Sequence, residues 1–119
     1  MKRRIITLGV LVSGNGSNLQ AIIDRIEAGT LDARIAVVVS DNPRAFALER
    51  AAGHGIPIVT VPSGAYPSRV AADAAMVGVL NDYGVELVAL AGFMRLLTET
   101  FLTAFPMRII NIHPALLPA

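Results

Sequence analysis

Five short apolar runs, each parted from the next by a stretch of helical periodicity, constrain this chain more than any other feature. Ile5–Val12, Arg34–Ser40, Ile56–Val61, Glu86–Ala91 and Arg108–Ile112 read as strands. The first is apolar without alternation, and Ala36-Val37-Val38-Val39 forms the centre of the second, which is the pattern of strands covered on both faces. Between them, Ser17–Gly29 places Leu19, Ile22, Ile23 and Ile26 at helical spacing, with Gly29 as its stop. Asp41-Asn42-Pro43 reads as the cap and opening of a second helix that runs to about Gly53–Gly55. Pro62-Ser63-Gly64 breaks the third strand. Pro67–Tyr83 reads as a long helix with Val70, Ala74, Val77 and Leu80 along one stripe, and Thr98–Phe105 as a short one.

Strands alternating with helices predict an α/β fold: a doubly wound, Rossmann-like, mostly parallel sheet of order 3-2-1-4-5, with helices on both faces. The winding then reverses between the first and fourth strands, and ligands bind outside the carboxyl ends of strands at such a switch. Three segments follow strands there: Gly14–Asn18, Gly92-Phe93-Met94-Arg95, and the end of the fifth strand with Asn111 and His113. Their predicted convergence on one cleft is the main argument for a site.

Composition narrows the chemistry. The 119 residues suit a single domain, and 54% are hydrophobic against 16% charged. A net charge of +1 gives no electrostatic reason to expect nucleic acid or a membrane surface as partner. The absence of cysteine excludes disulfides, thiolate metal ligands and thiol nucleophiles, and suits a cytoplasmic setting. Two histidines cannot build a His-rich metal site, so no metal is expected. Lys2-Arg3-Arg4 ahead of an apolar run has the opening of a signal peptide, but a Gly-Asn-Gly turn follows in place of a cleavage site. It reads as a solvated lead-in to a buried strand.

The turn Ser13-Gly14-Asn15-Gly16-Ser17-Asn18-Leu19-Gln20 supports two readings. A glycine turn opening a helix presents backbone N–H groups and a favourable dipole to a phosphate, while Ser17 and Gln20 also fit a capping box. A P-loop is excluded because Lys2 is the chain's sole lysine, and a dinucleotide fingerprint because Leu19 stands where its third glycine belongs. Asp41 could hold a ribose, but reads more simply as a helix cap. Gly92 leaves room for a ligand beside the backbone. Phe93, Met94, Leu96 and Leu97 could wall a flat ring and Arg95 could meet an anion, although alone the segment reads as an ordinary strand-to-helix loop. Asn111 and His113 leave one strand on the same face, an amide donor beside a group that titrates near neutrality. His54, between two glycines, reads as a solvated helix-end histidine. Arg69 begins the long helix, either solvated or overhanging the cleft mouth.

With these residues placed, the chain resembles the phosphoribosylglycinamide formyltransferases, folate-dependent enzymes of purine synthesis. The likeness rests on Ser13 to Asp24, on Ala91-Gly92-Phe93-Met94-Arg95, and on Asn111-Ile112-His113-Pro114-Ala115-Leu116-Leu117-Pro118. It covers essentially all of the chain and the amino-terminal part of the family's length, so residues 1–119 are expected to form one nucleotide-binding domain truncated at its carboxyl end. The resemblance implies that Gly16, Ser17 and Asn18 hold the ribonucleotide phosphate and that Gly92 lies near the glycinamide arm. It implies that Met94, Arg95, Leu96, Leu97, Asn111 and Arg69 contact 10-formyltetrahydrofolate, and that Asn111 and His113 act at the formyl carbon. Family members also carry a later aspartate that pairs with the histidine, and the segment without it is expected to be nearly inactive. The fifth strand is expected to leave an edge open to association, as in a homodimer.

The His-Pro-x-Leu-Leu-Pro element is shared by other formyl-transferring and formyl-hydrolysing enzymes, among them methionyl-tRNA formyltransferase. The Gly-Asn-Gly-Ser-Asn turn favours the glycinamide ribonucleotide enzyme. A NAD-binding oxidoreductase domain and a phosphate-gripping module without turnover are the remaining alternatives.

Overall fold

Parallel pairing of the apolar runs builds one five-stranded sheet of order β3-β2-β1-β4-β5. The computed structural model describes residues 4–112. In chain order the elements are β1 (Ile6–Val12), α1 (Ser17–Glu27), β2 (Ala33–Ser40), α2 (Phe46–Gly53), β3 (Ile58–Thr60), a 3₁₀ turn at Ser63–Ala65, α3 (Arg69–Asp82), β4 (Leu87–Ala91), α4 (Glu99–Ala104) and β5 (Ile109–Ile112). The predicted architecture and strand order are those observed. His113 and the Pro114–Pro118 segment lie outside the described residues.

Two apolar layers cover the sheet. Leu19, Ile22 and Ile23 of α1, with Ala47, Leu48 and Ala51 of α2, pack on Leu8, Val10, Val12, Ile35 and Val38. Ala72, Met76 and Leu80 of α3, with Phe101 and Phe105 around α4, pack on Leu11, Val37, Val39 and Val88 of the opposite face. Val10, Leu11 and Val12 are wholly buried because each face of β1 meets a helix, which explains its unbroken apolar run. The β1–β2 register shifts between Leu8 and Gly9, whose partners are Ile35 and Val37. Ala36 is the extra residue, and it and Val37 both join the α3-side layer. Gly9 stands where a Cβ would come within 2.5 Å of Leu80 Cδ2, so its lack of a side chain lets the end of α3 settle on the sheet.

Three elements differ from the sequence reading. β3 is shorter than Ile56–Val61, because Pro57 has no N–H to give and only Val38–Ser40 supply a partner strand. α2 starts at Phe46 rather than near Pro43. Ser40 Oγ accepts the Asn42 amide and Asn42 Oδ1 accepts the Arg44 amide, turning the chain before the helix can begin. The buried stripe of α3 is Ala72, Asp73, Met76 and Leu80, whereas Val70 is 52% exposed and Ala74 faces solvent. Apolar residues occupy every side of this helix, so their spacing could not select a face. Asp73 turns inward with them, and Ser68 fixes the start of the helix by accepting the Ala71 amide.

The strand ends at one edge are level: Val12 pairs with Ser40, Leu11 with Leu90, and Ala91 with Ile112. The loops that follow β1, β2 and β4 leave the sheet on the same side. A groove of about 340 Å³ runs between α1 and β1, β4 and β5, with Asn18 and Ile112 in its lining. Among the described residues, no helix is long and apolar enough to cross a membrane.

Candidate active site

Ser13 joins the turns that sequence reading could only place near one another. Its amide donates to the Gly92 carbonyl (3.2 Å), and its hydroxyl donates to Asp41 Oδ1 (2.7 Å) while accepting the Met94 amide (2.9 Å). Asn42 Nδ2 donates to the Ser13 carbonyl at 3.2 Å. The loops after β1, β2 and β4 are thereby tied at the switch point. Asp41 is occupied as the acceptor of that junction, and its side chain does not cap α2, whose N-cap is Ala45 without a side-chain bond.

The glycine turn rests on α2. Gly16 adopts φ +86°, and a Cβ there would lie 2.6 Å from Ala47 Cβ and 2.7 Å from Ala47 Cα. The Ala47 amide donates to the Gly14 carbonyl. Arg50 donates from Nε to the Asn15 carbonyl (2.8 Å) and from Nη2 to Asn15 Oδ1 (2.9 Å), with its guanidinium 5.0 Å from the Phe46 ring centre. Gly16 is the N-cap of α1, so no side chain closes the first turn of that helix, and no acid lies within it. The Ser17–Gln20 capping box does not form: Gln20 bonds instead to Asp24 and Arg50. The start of α1 thus offers amide groups and the positive end of an eleven-residue helix, flanked by exposed Ser17 and half-buried Asn18.

The loop after β4 alternates. Phe93 and Leu97 pack against the α3-side layer, and Arg95 turns inward to Asp73 (Nη2 to Oδ1, 2.8 Å) and lies 5.6 Å from the Phe93 ring centre. Met94 and Leu96 point outward, 82% and 78% exposed. The apolar wall read across Phe93, Met94, Leu96 and Leu97 is therefore presented by Met94 and Leu96. Arg69, at the first position of α3, overhangs the segment and donates from Nη2 to the Leu96 carbonyl at 2.9 Å. No heavy atom outside the adjoining residues lies within 4 Å of where a side chain would begin at Gly92.

Asn111 pairs with Leu90 and is exposed. Ile110 and Ile112 line the groove on the α1 side while Ile109 packs on the α3 side, so alternation directs Asn111 to the α3 side. It shares that side with the Met94–Thr98 segment. His54 ends α2, and its Nδ1 lies 2.7 Å from Glu27 Oε2. Among the described residues, no group of three His, Cys, Asp or Glu side chains could hold a metal ion.

Sequence reading gave no role to Ser13, Arg50 or Asp73. A polar residue ending an apolar strand was the signal for Ser13. For Asp73 it was a lone acid in the apolar stretch Val70–Leu80, four residues after Arg69. Arg50 carried no mark that set it apart from the other arginines.

Residues 4–119 match the formyl transferase family. The chain is 44% identical over 110 residues to the phosphoribosylglycinamide formyltransferase of Bacillus subtilis, covering 92% of this chain and 56% of that protein. It is likewise 44% identical over 109 residues to the Escherichia coli enzyme of the same name, covering 92% and 51%. The crystal structure of glycinamide ribonucleotide transformylase 1 from Symbiobacterium toebii superposes with a TM-score of 0.90 at 54% identity, covering 97% of this chain and 54% of that one. The chain spans about half the length of the curated relatives it matches. It belongs to the formyl transferase family.

Proposed function

We propose that this formyl transferase family member carries the phosphate turn and the donor loop of a phosphoribosylglycinamide formyltransferase, moving a formyl group from 10-formyltetrahydrofolate to the amine of glycinamide ribonucleotide. The observation that carries the reading is the Ser13 junction, which ties a side-chain-uncapped helix N-terminus to an apolar, backbone-exposing loop at one sheet edge. A phosphate on one side and a flat reduced folate on the other are what those two surfaces suit.

The amides around Gly16, Ser17 and Asn18 hold the phosphate, and the open flank of Gly92 receives the glycinamide arm. Met94 and Leu96 cover the pterin, and main-chain groups of 95–97 other than the Leu96 carbonyl, which Arg69 engages, meet its polar edge. Arg69 reaches toward the acidic outer portion of the folate. The neutral amine attacks the formyl carbon and a tetrahedral intermediate forms with charge on oxygen. Asn111 donates to that oxygen, and His113 serves as the proton donor. Collapse breaks the bond to N10 of the folate, which takes up a proton as the attacking nitrogen loses one. The products are the formylated ribonucleotide and tetrahydrofolate, and no covalent intermediate with the protein forms.

Isothermal titration with glycinamide ribonucleotide, followed by a formyl-transfer assay, tests the reading. In a chain that also supplies the family's later aspartate, Asn111→Ala is expected to lower kcat by ~10²–10³ and His113→Ala by ~10²–10⁴, both with ribonucleotide affinity intact. A folded protein that does not bind the ribonucleotide would refute the substrate assignment.

A further inference from the structure

The only wholly buried acid among the described residues is Asp73, and its carboxylate is divided. Oδ1 accepts from Arg95 Nη2 (2.8 Å), while Oδ2 accepts both the backbone amide and the hydroxyl of Thr98 (2.6 Å each). A carboxylate facing a guanidinium would ordinarily take two parallel bonds, the stronger arrangement. Here the second oxygen goes to Thr98 instead. Arg95 Nε and Nη1 are left buried with no hydrogen-bond partner among the described residues. What the division achieves is mechanical: one side chain holds both ends of the segment from Arg95 to Thr98. One turn earlier on the same face of α3, Arg69 takes the Leu96 carbonyl between those ends. Two residues of α3, Arg69 and Asp73, therefore pin the segment 95–98 at three of its four positions, leaving Met94 and Leu96 turned outward.

We infer that Asp73 is a positioning residue for the one-carbon donor. It never meets the folate. It holds the backbone of 95–98 at a set height above α3, so that the outward side chains and main-chain groups offer the pterin a preformed surface rather than a loop that must order on binding. The inference rests on the reading of this loop as the folate site. The phosphate turn is held mainly by α2, through Ala47 and Arg50, and Ser13 joins it to the loop only at Gly92 and Met94, ahead of the 95–98 segment that Asp73 holds.

Asp73→Asn and Thr98→Val test it, the second sparing the buried charge pair in case the first fails to fold. Titration with tetrahydrofolate, kept reduced, is expected to show affinity at least tenfold weaker in Asp73→Asn and about threefold weaker in Thr98→Val. Affinity for glycinamide ribonucleotide is expected to stay within twofold in each folded variant. Amide exchange in the unliganded protein is expected to accelerate at 95–98 and not at 13–18. Unchanged tetrahydrofolate affinity in the folded variants overturns the inference, as does loss of both ligands in proportion to lost stability. Wild-type protein that binds the ribonucleotide but not tetrahydrofolate removes the donor-site reading itself, and this inference with it.

Discussion

Replacing Gly16 with alanine perturbs the glycine turn at its most crowded point, and the same turn supplies its own control. At φ +86° an L-residue with a Cβ is strained by ~1–2 kcal/mol. The new methyl would also lie 2.7 Å from Ala47 Cα, a backbone atom that cannot rotate away. Relieving such overpacking costs a further ~1–3 kcal/mol. The expected destabilisation is therefore ~2–5 kcal/mol, a shift of roughly 1–2.5 M in urea midpoint for a slope near 2 kcal/mol/M. Gly14, two residues earlier, meets nothing within 4 Å, and Gly14→Ala should leave the midpoint within ~0.5 kcal/mol of the parent. Urea unfolding of both variants, followed by ribonucleotide titration of whichever remain folded, reads the difference. Gly16→Ala should bind at least tenfold more weakly because the Ser17 and Asn18 amides move with the turn. Equal midpoints and equal affinities for the two variants would refute the claim that packing on α2 shapes the site.

Two further outcomes follow from the hydrogen bonds around β1. Ser13→Ala deletes the acceptor of the Met94 amide and the donor to Asp41, costing about 1–3 kcal/mol; amide exchange at Met94 should accelerate, and native protection there would contradict the junction. The Glu86 carboxyl is held below its ordinary value of 4.5, first by the Thr7 amide that donates to it and then by the Arg4 guanidinium. Because the folded pKa is the lower one, its contribution is fully present above about pH 4.5 and fades as pH falls toward the folded value. The stability gap between wild type and Glu86→Gln should therefore narrow on acidification from pH 7 to 3.5, and a gap independent of pH would count against the pairing.

The strands and their order were legible because burial on both faces leaves a strong mark: Val10, Leu11 and Val12 can only sit between two layers. The glycine turn was equally visible, since few residue types tolerate such a bend before a helix. Less visible was which way side chains turn where every direction is apolar or every direction is polar. α3 carries alanine, valine and methionine all round, so no spacing could show that Asp73 rather than Ala74 faces inward. Asp41 and Ser17 each fit a cap by type, yet neither caps, because Ser13 engages one and Gly16 precedes the helix in place of the other.

From its sequence alone this chain is committed to a parallel sheet wound in two directions, with its polar strand-ends gathered at the reversal, because covalent neighbours dictate backbone preference and burial pattern. Only tertiary structure decided that Ser13 would tie the glycine turn to the loop after β4, and that Arg95 would turn inward to Asp73 while Met94 and Leu96 faced out. Those choices depend on partners 22 to 81 residues away. A hydrogen bond acquires its direction only when the fold has brought both ends to the same place.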